Sequence, residues 1–488
     1  MFILILRHLA MFILLCGVVC FAQPGTPPVT INATTEEALA KDIPALMEKA
    51  GVPGLSISVI RNGKAVWTDS FGVRSEETKK PVTNDTMFNV GSLSKPVFAY
   101  GVLKLVDAGK LKLDEPLAPY LPKEFTEGDA RFQQITARIV LSHRTGFPNW
   151  PGDGKPLVIH FTPGERFSYS GAGMVLLQKA VEKITGKPLN DYMQEAVFEP
   201  LGMKHSSYVG NPAFENEIAV GHDVGGTATG LFKAEQANAA ASLATTAEDY
   251  AIFLGAVLRG TGLRPATLRE METPQIAVDP ACSNCVEGTP SGQLSATIFW
   301  GLGLGIEKTA EGESLWHWGD NGDFKAFFVV RPATKSGVVY MTNSANGLSI
   351  ARMILAETLG GEQPALDWLK YDDYDAPGLS FTRTAVLKGA AAALRQFSKD
   401  LASGKISEES LNQAGYTLMG TKKIGDAMLV FRRNVELHPD SWNAYDSLGE
   451  AYLKNGDRDL AVKNYRRSVE LNPKNDNGVT ALKKLGAE

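Results

Sequence analysis

The stretch FNVGSLSKPVFAYGVLKL, residues 88–105, holds a serine and a lysine three positions apart, Ser92 and Lys95. Pro96 is tolerated only in the first turn of a helix, so the pattern predicts a helix that begins near Ser92. Residues three apart on a helix are neighbours. A lysine there can accept the serine proton only if it is neutral, and burial and the helix N-terminus both lower its pKa. The alternative is an ordinary N-cap serine beside a solvated lysine.

A second candidate lies downstream in PGERFSYSGAGMVLL, where Tyr169 follows a Pro-Gly turn. A tyrosine close to such a lysine could share its proton and protonate a leaving group. The alternative is that Tyr169 is an ordinary residue of the hydrophobic core.

The third stretch, SLWHWGDNGDFKAFFVVRP, reads as a strand and contains His317, Trp318, Gly319 and Asp320. Strand alternation places His317 and Gly319 on one face and Trp318 on the other. A glycine on the inner face would let a substrate approach the backbone. The amides of Ser92 and Asp320 are then candidate donors to an oxyanion. The alternative for His317 is a surface polar residue at a sheet edge.

Around these stretches, strand-like segments stand at both ends of a helical region. GLSISVIRNGKAVWTDSFGV predicts two strands joined at Asn62-Gly63, because that turn requires positive φ. Residues 92–250 are mostly of helical pattern, and strand-like runs return from residue 298. The fold class predicted is α+β, with one antiparallel sheet built from both ends, flanked by helices and carrying a helical lobe. We expect this domain to span residues 30–365.

The C-terminal part contains an internal repeat, since VELHPD (435–440) and VELNPK (469–474) lie 34 residues apart. The second copy resembles a tetratricopeptide repeat, and the first is weaker. We expect a linker with a connecting helix at 366–404, the helix spanning about 383–402, and an all-α repeat domain at 405–488. The repeats would either bind a protein partner or buttress the preceding domain.

The remaining features concern location and partners. Residues 1–22 have the pattern of a secretory signal cleaved after Ala22, which predicts a periplasmic or secreted protein without a stable membrane span; the alternative is a membrane anchor. The formal net charge is −5 and no basic cluster occurs, so a nucleic-acid partner is not expected. Cys282 and Cys285 are either a structural disulfide or idle thiols.

Taken together and in this order, the three stretches resemble the penicillin-recognising serine hydrolases, a group with an S-x-x-K signature. Within that group residues 35–360 look most like class C β-lactamases, D-alanyl-D-alanine carboxypeptidases and family VIII esterases. The resemblance implies that Ser92 is acylated, that Lys95 is its companion base and that Tyr169 is the tyrosine of the Tyr-x-Asn element. His317 to Gly319 match the Lys-Thr-Gly element, and LSHRTGFP (141–148) matches a structural landmark of the family.

Two departures from the family pattern bear on the substrate. Gly171 stands where the Tyr-x-Asn element has its asparagine, and His317 replaces the lysine that attracts the β-lactam carboxylate. Both favour ester or peptide substrates without a fixed carboxylate. The substrates expected for the hydrolase are small esters or amides, or D-amino-acid peptides. The implied reaction is acyl transfer through a covalent acyl-enzyme, which needs no metal or organic cofactor. The alternative is a weak or inactive binding or scaffold protein, with the fold as a ligand pocket and the repeats recruiting a partner.

Overall fold

The computed structural model describes residues 34–126, 128–152, 155–286 and 288–487. The predicted secretory signal, residues 1–22, lies outside these residues. Within the described part of the chain, no helix combines the length and the apolar character needed to cross a bilayer.

An eight-stranded sheet forms the centre of the first domain, with all neighbouring strands antiparallel and in the order β2-β1-β12-β11-β10-β9-β8-β7. Two further pairs, β3 with β6 and β4 with β5, lie outside it. The first and last strands of the domain are neighbours, which confirms a sheet built from both ends of the region. The strands are β1 (Gly54–Arg61), β2 (Lys64–Gly72), β3 (Phe88–Asn89), β4 (Val220–His222), β5 (Ala228–Leu231), β6 (Ala244–Thr245), β7 (Ile276–Ala277), β8 (Ile298–Trp300), β9 (Gly305–Thr309), β10 (Gly312–Asp320), β11 (Lys325–Arg331) and β12 (Ser336–Thr342).

The turn between β1 and β2 has the predicted Asn-Gly geometry. Asn62 has a φ of 51° and Gly63 a φ of 70°, so both turn residues are left-handed, as a two-residue hairpin requires.

Side-chain alternation along β11 divides the core into two layers, one on each face of the sheet. Phe327 and Val329 belong to the layer that also holds α1 and α10, whereas Phe328 and Val330 belong to the layer of the helical lobe. The strand is therefore buried on both faces, and its near-continuous apolar sequence follows from that. The helices of this domain are α1 (Thr34–Ala50), α2 (Ser94–Asp107), α3 (Lys123–Thr126), α4 (Ala137–Leu141), α5 (Gly171–Thr185), α6 (Leu189–Met193), α7 (Glu199–Leu201), α8 (Ala247–Arg259), α9 (Pro265–Glu272) and α10 (Ala351–Thr358).

The prediction of a single connecting helix at about 383–402 is wrong. Three consecutive helices occupy this part of the chain, and they are separated at Gly389 and Phe397. Gly389 has a φ of 86°, which an α-helix cannot contain. The helices after the sheet are α11 (Pro364–Leu369), α12 (Pro377–Lys388), α13 (Ala390–Gln396), α14 (Ser398–Ala402), α15 (Glu408–Gly420), α16 (Ile424–Leu437), α17 (Trp442–Asn455), α18 (Arg458–Leu471) and α19 (Asp476–Lys484).

The two predicted repeats are the helix pairs α15–α16 and α17–α18, followed by α19. At equivalent positions a Cβ on Gly415 would lie 2.4 Å from the Phe431 ring, and one on Gly449 would lie 3.2 Å from the Tyr465 ring. The small residues therefore let each pair of helices approach closely. Val224, in the β4–β5 turn, is buried in the same cluster as Phe381 of α12, so the C-terminal helices dock on the first domain.

Candidate active site

Ser92 lies in a short 3-10 turn, Gly91–Leu93, that runs directly into α2. Lys95 Nζ lies 2.8 Å from Ser92 Oγ and donates to the carbonyl oxygen of Ala240 at 2.8 Å. The serine is half-buried and therefore reachable, whereas the lysine side chain is 0% exposed. The alternative of a capping serine beside a solvated lysine does not fit. Val90 and Leu93, and not Ser92, occupy the N-cap positions of the 3-10 turn and of α2, and neither makes a side-chain cap hydrogen bond.

Burial decides the charge of Lys95. Removal from water disfavours an ammonium group, and the pKa of Lys95 is accordingly held well below its usual 10.5. A neutral amine keeps a lone pair that can accept a proton, which an ammonium group cannot do. The Ala240 carbonyl fixes the orientation of this amine. The carbonyl is a backbone group, so no side-chain pattern marks it in the sequence.

Tyr169 places its ring beside this pair, with the ring centroid 4.8 Å from Lys95 Nζ. The side chain is buried, and burial raises the pKa of its phenol well above 10 although the nearby Ser92 hydroxyl lowers it. The phenol therefore keeps its proton at neutral pH. Among the described residues, its hydroxyl has no hydrogen-bond partner, so this donor remains available to a bound molecule.

The loop that carries Tyr169 is held by two groups that are not among the predicted site residues. The His143 ring lies 4.3 Å from the Tyr169 ring, and its Nδ1 accepts a hydrogen bond from the Ser170 amide at 3.1 Å. The Tyr169 amide donates to the carbonyl oxygen of Ser283 at 2.9 Å. Ser283 lies between Cys282 and Cys285, which form a disulfide rather than idle thiols.

His143, which lies in the LSHRTGFP stretch, has a left-handed backbone with a φ of 53°. This conformation is uncommon for a residue with a side chain. Burial lowers the pKa of His143 well below 6.5, so the ring is neutral. The landmark thus has a local purpose, which is to set the position of the tyrosine.

His317 is fully buried, so the alternative of a surface residue at a sheet edge is wrong. Its Nδ1 lies 2.7 Å from the carbonyl oxygen of Trp318. A carbonyl can only accept, so Nδ1 carries the proton and Nε2 is an acceptor. Burial, with a contribution from Lys95, lowers the pKa of His317 to about 3, so the ring is neutral. The expected alternation holds along β10: Trp318 lies in the core layer of α1 and α10, whereas Phe328 and Ala326, the strand partners of His317 and Gly319, lie in the layer of the helical lobe. The His317 and Trp318 rings nevertheless stack, with centroids 5.1 Å apart.

The expectation that Gly319 lets a substrate approach the backbone is wrong. A Cβ on Gly319 would lie 2.0 Å from the carbonyl oxygen of Val90, so the space beside it is already filled by protein backbone. A Cβ on Gly91 would lie 3.1 Å from the amide nitrogen of Asp320. These two glycines let the Ser92 turn and the end of β10 touch through their main chains, which brings the Ser92 turn against Asp320.

The position of the missing asparagine is also closed. A Cβ on Gly171 would lie 2.7 Å from the indole of Trp150, and the Gly171 amide donates to Asn149 Oδ1 at 2.8 Å. Trp150 therefore covers the backbone at this position, where the family pattern has an amide side chain. Trp150 also lines an apolar cavity of about 710 Å³, which reaches Ala172 and Asn238.

Comparisons with known proteins show which families the two parts of the chain resemble. The beta-lactamase family model matches residues 39–358, and a tetratricopeptide-repeat model matches residues 442–475, the second of the two copies. A beta-lactamase from Pseudomonas fluorescens is 30% identical over 194 residues, covering 37% of this chain and 53% of that protein. The esterase EstB from Burkholderia gladioli is 30% identical over 195 residues, covering 34% of this chain and 49% of that protein. The chain thus spans about half the length of these two relatives.

Among solved structures, the octameric penicillin-binding protein homologue from Pyrococcus abyssi superimposes with a TM-score of 0.58 at 24% identity, covering 71% of this chain and 80% of that one. At this level of identity the likeness concerns the fold alone. It confirms the predicted α+β architecture of the first domain.

Proposed function

Because the chain belongs to the beta-lactamase family, we propose that it is a serine hydrolase with Ser92 as its nucleophile, Lys95 as the base and Tyr169 as the proton donor. The observation that carries this proposal is the 2.8 Å contact between a reachable serine hydroxyl and a buried lysine amine. A retired site would have no reason to keep a lysine in an apolar interior, where its burial costs free energy.

The reaction is acyl transfer in two steps. The lone pair of Lys95 takes the Ser92 proton while Oγ attacks the substrate carbonyl, and the amides of Ser92 and Asp320 stabilise the oxyanion. Tyr169 gives a proton to the leaving alcohol or amine as the carbonyl–leaving-group bond breaks, and it recovers one from Lys95. Water then attacks the acyl-enzyme and releases the acid, with the Ser92 proton restored.

Esters without a carboxylate near the scissile bond are the substrate class that fits best. His317 is neutral and offers only an acceptor at Nε2, so it cannot attract an anion as a lysine would. Lys325, the cation on the neighbouring strand, is already paired with Asp320. β-Lactams and D-alanyl-D-alanine peptides both carry a carboxylate, and this site supplies no free cation among the groups named above to bind it.

Labelling with a fluorescent fluorophosphonate tests the proposal. The full-length protein should be labelled, Ser92→Ala should lose the label, and Ser403→Ala, which changes an exposed serine of the C-terminal helices, should keep it. Failure to label the native protein would refute the enzyme and favour the binding protein of the alternative hypothesis.

A substrate panel then tests the substrate class. p-Nitrophenyl esters should be hydrolysed with higher kcat/KM than nitrocefin or a D-alanyl-D-alanine peptide. Faster turnover of either carboxylate-bearing substrate would refute the assignment of substrate class while leaving the mechanism intact.

We further propose that the protein is exported by the pattern at residues 1–22 and that its repeats bind a protein partner. Export is supported by Arg7 and His8, by the short apolar run that follows them and by the small residues before Gln23. Processing near Ala22, read from the N-terminus of protein recovered outside the cytoplasm, tests it.

A further inference from the structure

A segment that follows the beta-lactamase match reaches the candidate site. Tyr371 lies after α11, beyond residue 358 where the family match ends. Its hydroxyl donates a hydrogen bond of 2.6 Å to Oδ2 of Asp320. Burial and the adjacent carboxylate raise the pKa of Tyr371 well above 10, although Trp318 acts in the opposite direction. The phenol therefore keeps its proton, and the carboxylate is the acceptor.

The same carboxylate has two further partners, one on the turn between β10 and β11 and one at the start of β11. Oδ1 accepts a hydrogen bond from the Gly322 amide at 3.0 Å and forms an ion pair with Lys325, which is almost completely buried. Both oxygens of Asp320 are thus held, one by the turn itself and the other by Tyr371. A carboxylate bonded on both oxygens has little freedom to rotate, and this restricts the backbone to which it is attached.

Tyr371 is itself well anchored. Trp368 Nε1 donates to the carbonyl oxygen of Asp279 at 2.8 Å, and its ring packs against Trp316 at 6.0 Å. On the other side, the Tyr374 amide donates to the carbonyl oxygen of Ser349 at 3.0 Å. The segment 368–374 is therefore fastened to the first domain both before and after Tyr371, so the hydroxyl is presented from a fixed backbone.

The charge of Asp320 makes this arrangement necessary. Its amide is the proposed second donor to the oxyanion, and a negative carboxylate on the same residue would oppose the negative charge that develops there. Lys325 and the Tyr371 hydroxyl each draw negative charge away from the carboxylate oxygens. A strand end with a neutral residue in this place would not need such partners.

We propose that Tyr371 is a positioning residue of the hydrolase, and that its hydrogen bond to Asp320 holds the oxyanion amide in place. The segment after the family domain thereby completes the site. This inference rests on the proposed function of Ser92 as the nucleophile. Because the oxyanion exists only as the bond rearranges, loss of the hydrogen bond should change the rate of reaction and not the binding of substrate.

The test compares Tyr371→Phe with Tyr374→Phe in the full-length protein. Tyr374 packs in the same segment and, among the described residues, forms no hydrogen bond with Asp320, so it is a matched control. With a p-nitrophenyl ester we expect Tyr371→Phe to lower kcat about tenfold with KM unchanged, which is at the weak end of what a hydrogen bond to a charged group contributes. Tyr374→Phe should stay close to wild type, and thermal melts should show that both variants are folded.

A double-mutant cycle with Asp320→Asn separates positioning from general structural damage. In the Asp320→Asn background the Tyr371→Phe change should cost less than threefold, because the charged acceptor is gone. The same tenfold loss in both backgrounds, or a wild-type kcat for Tyr371→Phe, would overturn the inference. An unlabelled native protein would refute the proposed function first, and this inference with it; a labelled protein that is indifferent to Tyr371→Phe refutes this inference alone.

Discussion

Gly319→Ala is the change that most directly tests how the site is assembled. The added Cβ would lie 2.0 Å from the carbonyl oxygen of Val90, whereas ordinary contacts begin at 3.4 Å. The difference between these two distances is roughly 1.4 Å, and it must be taken up by backbone, because neither partner is a flexible side chain. The Ser92 turn and the end of β10 would therefore move apart by an amount of this order.

Such a displacement would separate Ser92, the proposed nucleophile, from Asp320, whose amide is one of the two proposed oxyanion donors. A misplacement of about 1 Å can cost 10²-fold in rate, so we expect kcat/KM for a p-nitrophenyl ester to fall at least about 100-fold. The rate of fluorophosphonate labelling should fall in parallel, since it depends on the same nucleophile and the same amides. Thermal melting should show a folded protein of lower Tm, because overpacking typically lowers the free energy of unfolding by about 1–3 kcal/mol.

Gly420→Ala is the matched control, because a Cβ at this position meets nothing within 4 Å. It should leave both activity and Tm unchanged. Near-wild-type hydrolysis by a folded Gly319→Ala protein would refute the reasoning, since it would mean that the contact between Val90 and β10 does not set the spacing of the two amides.

Three further predictions concern the charges and the closed position of the site. Lys95→Met should be inactive yet have a higher Tm at pH 7. Because the pKa of Lys95 is lowered in the folded protein, the free energy of unfolding of the wild type rises with pH towards 10.5, by up to about 1.4 kcal/mol per pH unit. A lower Tm for the variant would contradict this reasoning. His317 has a pKa of about 3, so the unfolded chain takes up its proton first and stability falls as pH drops from 6.5 towards 3. His317→Gln should make that fall shallower in melts across this range, and identical slopes would contradict the reasoning. Gly171→Asn should lower ester hydrolysis by collision with Trp150, and Trp150→Ala should relieve the loss; equal rates for the single and double variants would show that no collision occurs.

Much of the architecture could be read from local patterns. The Asn62-Gly63 turn requires positive φ, and the near-continuous apolar run of β11 fits a strand buried on both faces, so the hairpin and the central sheet follow from short-range chemistry. The position of Pro96 limits where α2 can begin. The prediction of a single connecting helix is wrong because Gly389 has a left-handed φ, which interrupts the helix and which a helical sequence pattern does not reveal.

By itself the sequence determined which residue types could carry the chemistry and in what order, because Ser92, Lys95 and Tyr169 fall in recognisable local patterns. Only the tertiary structure decided their surroundings. The Ala240 carbonyl beside Lys95, the Val90 carbonyl beside Gly319 and the Tyr371 hydroxyl on Asp320 all come from distant parts of the chain. The physical reason is that burial and backbone contact set pKa values and spacing, and both depend on what packs nearby in space.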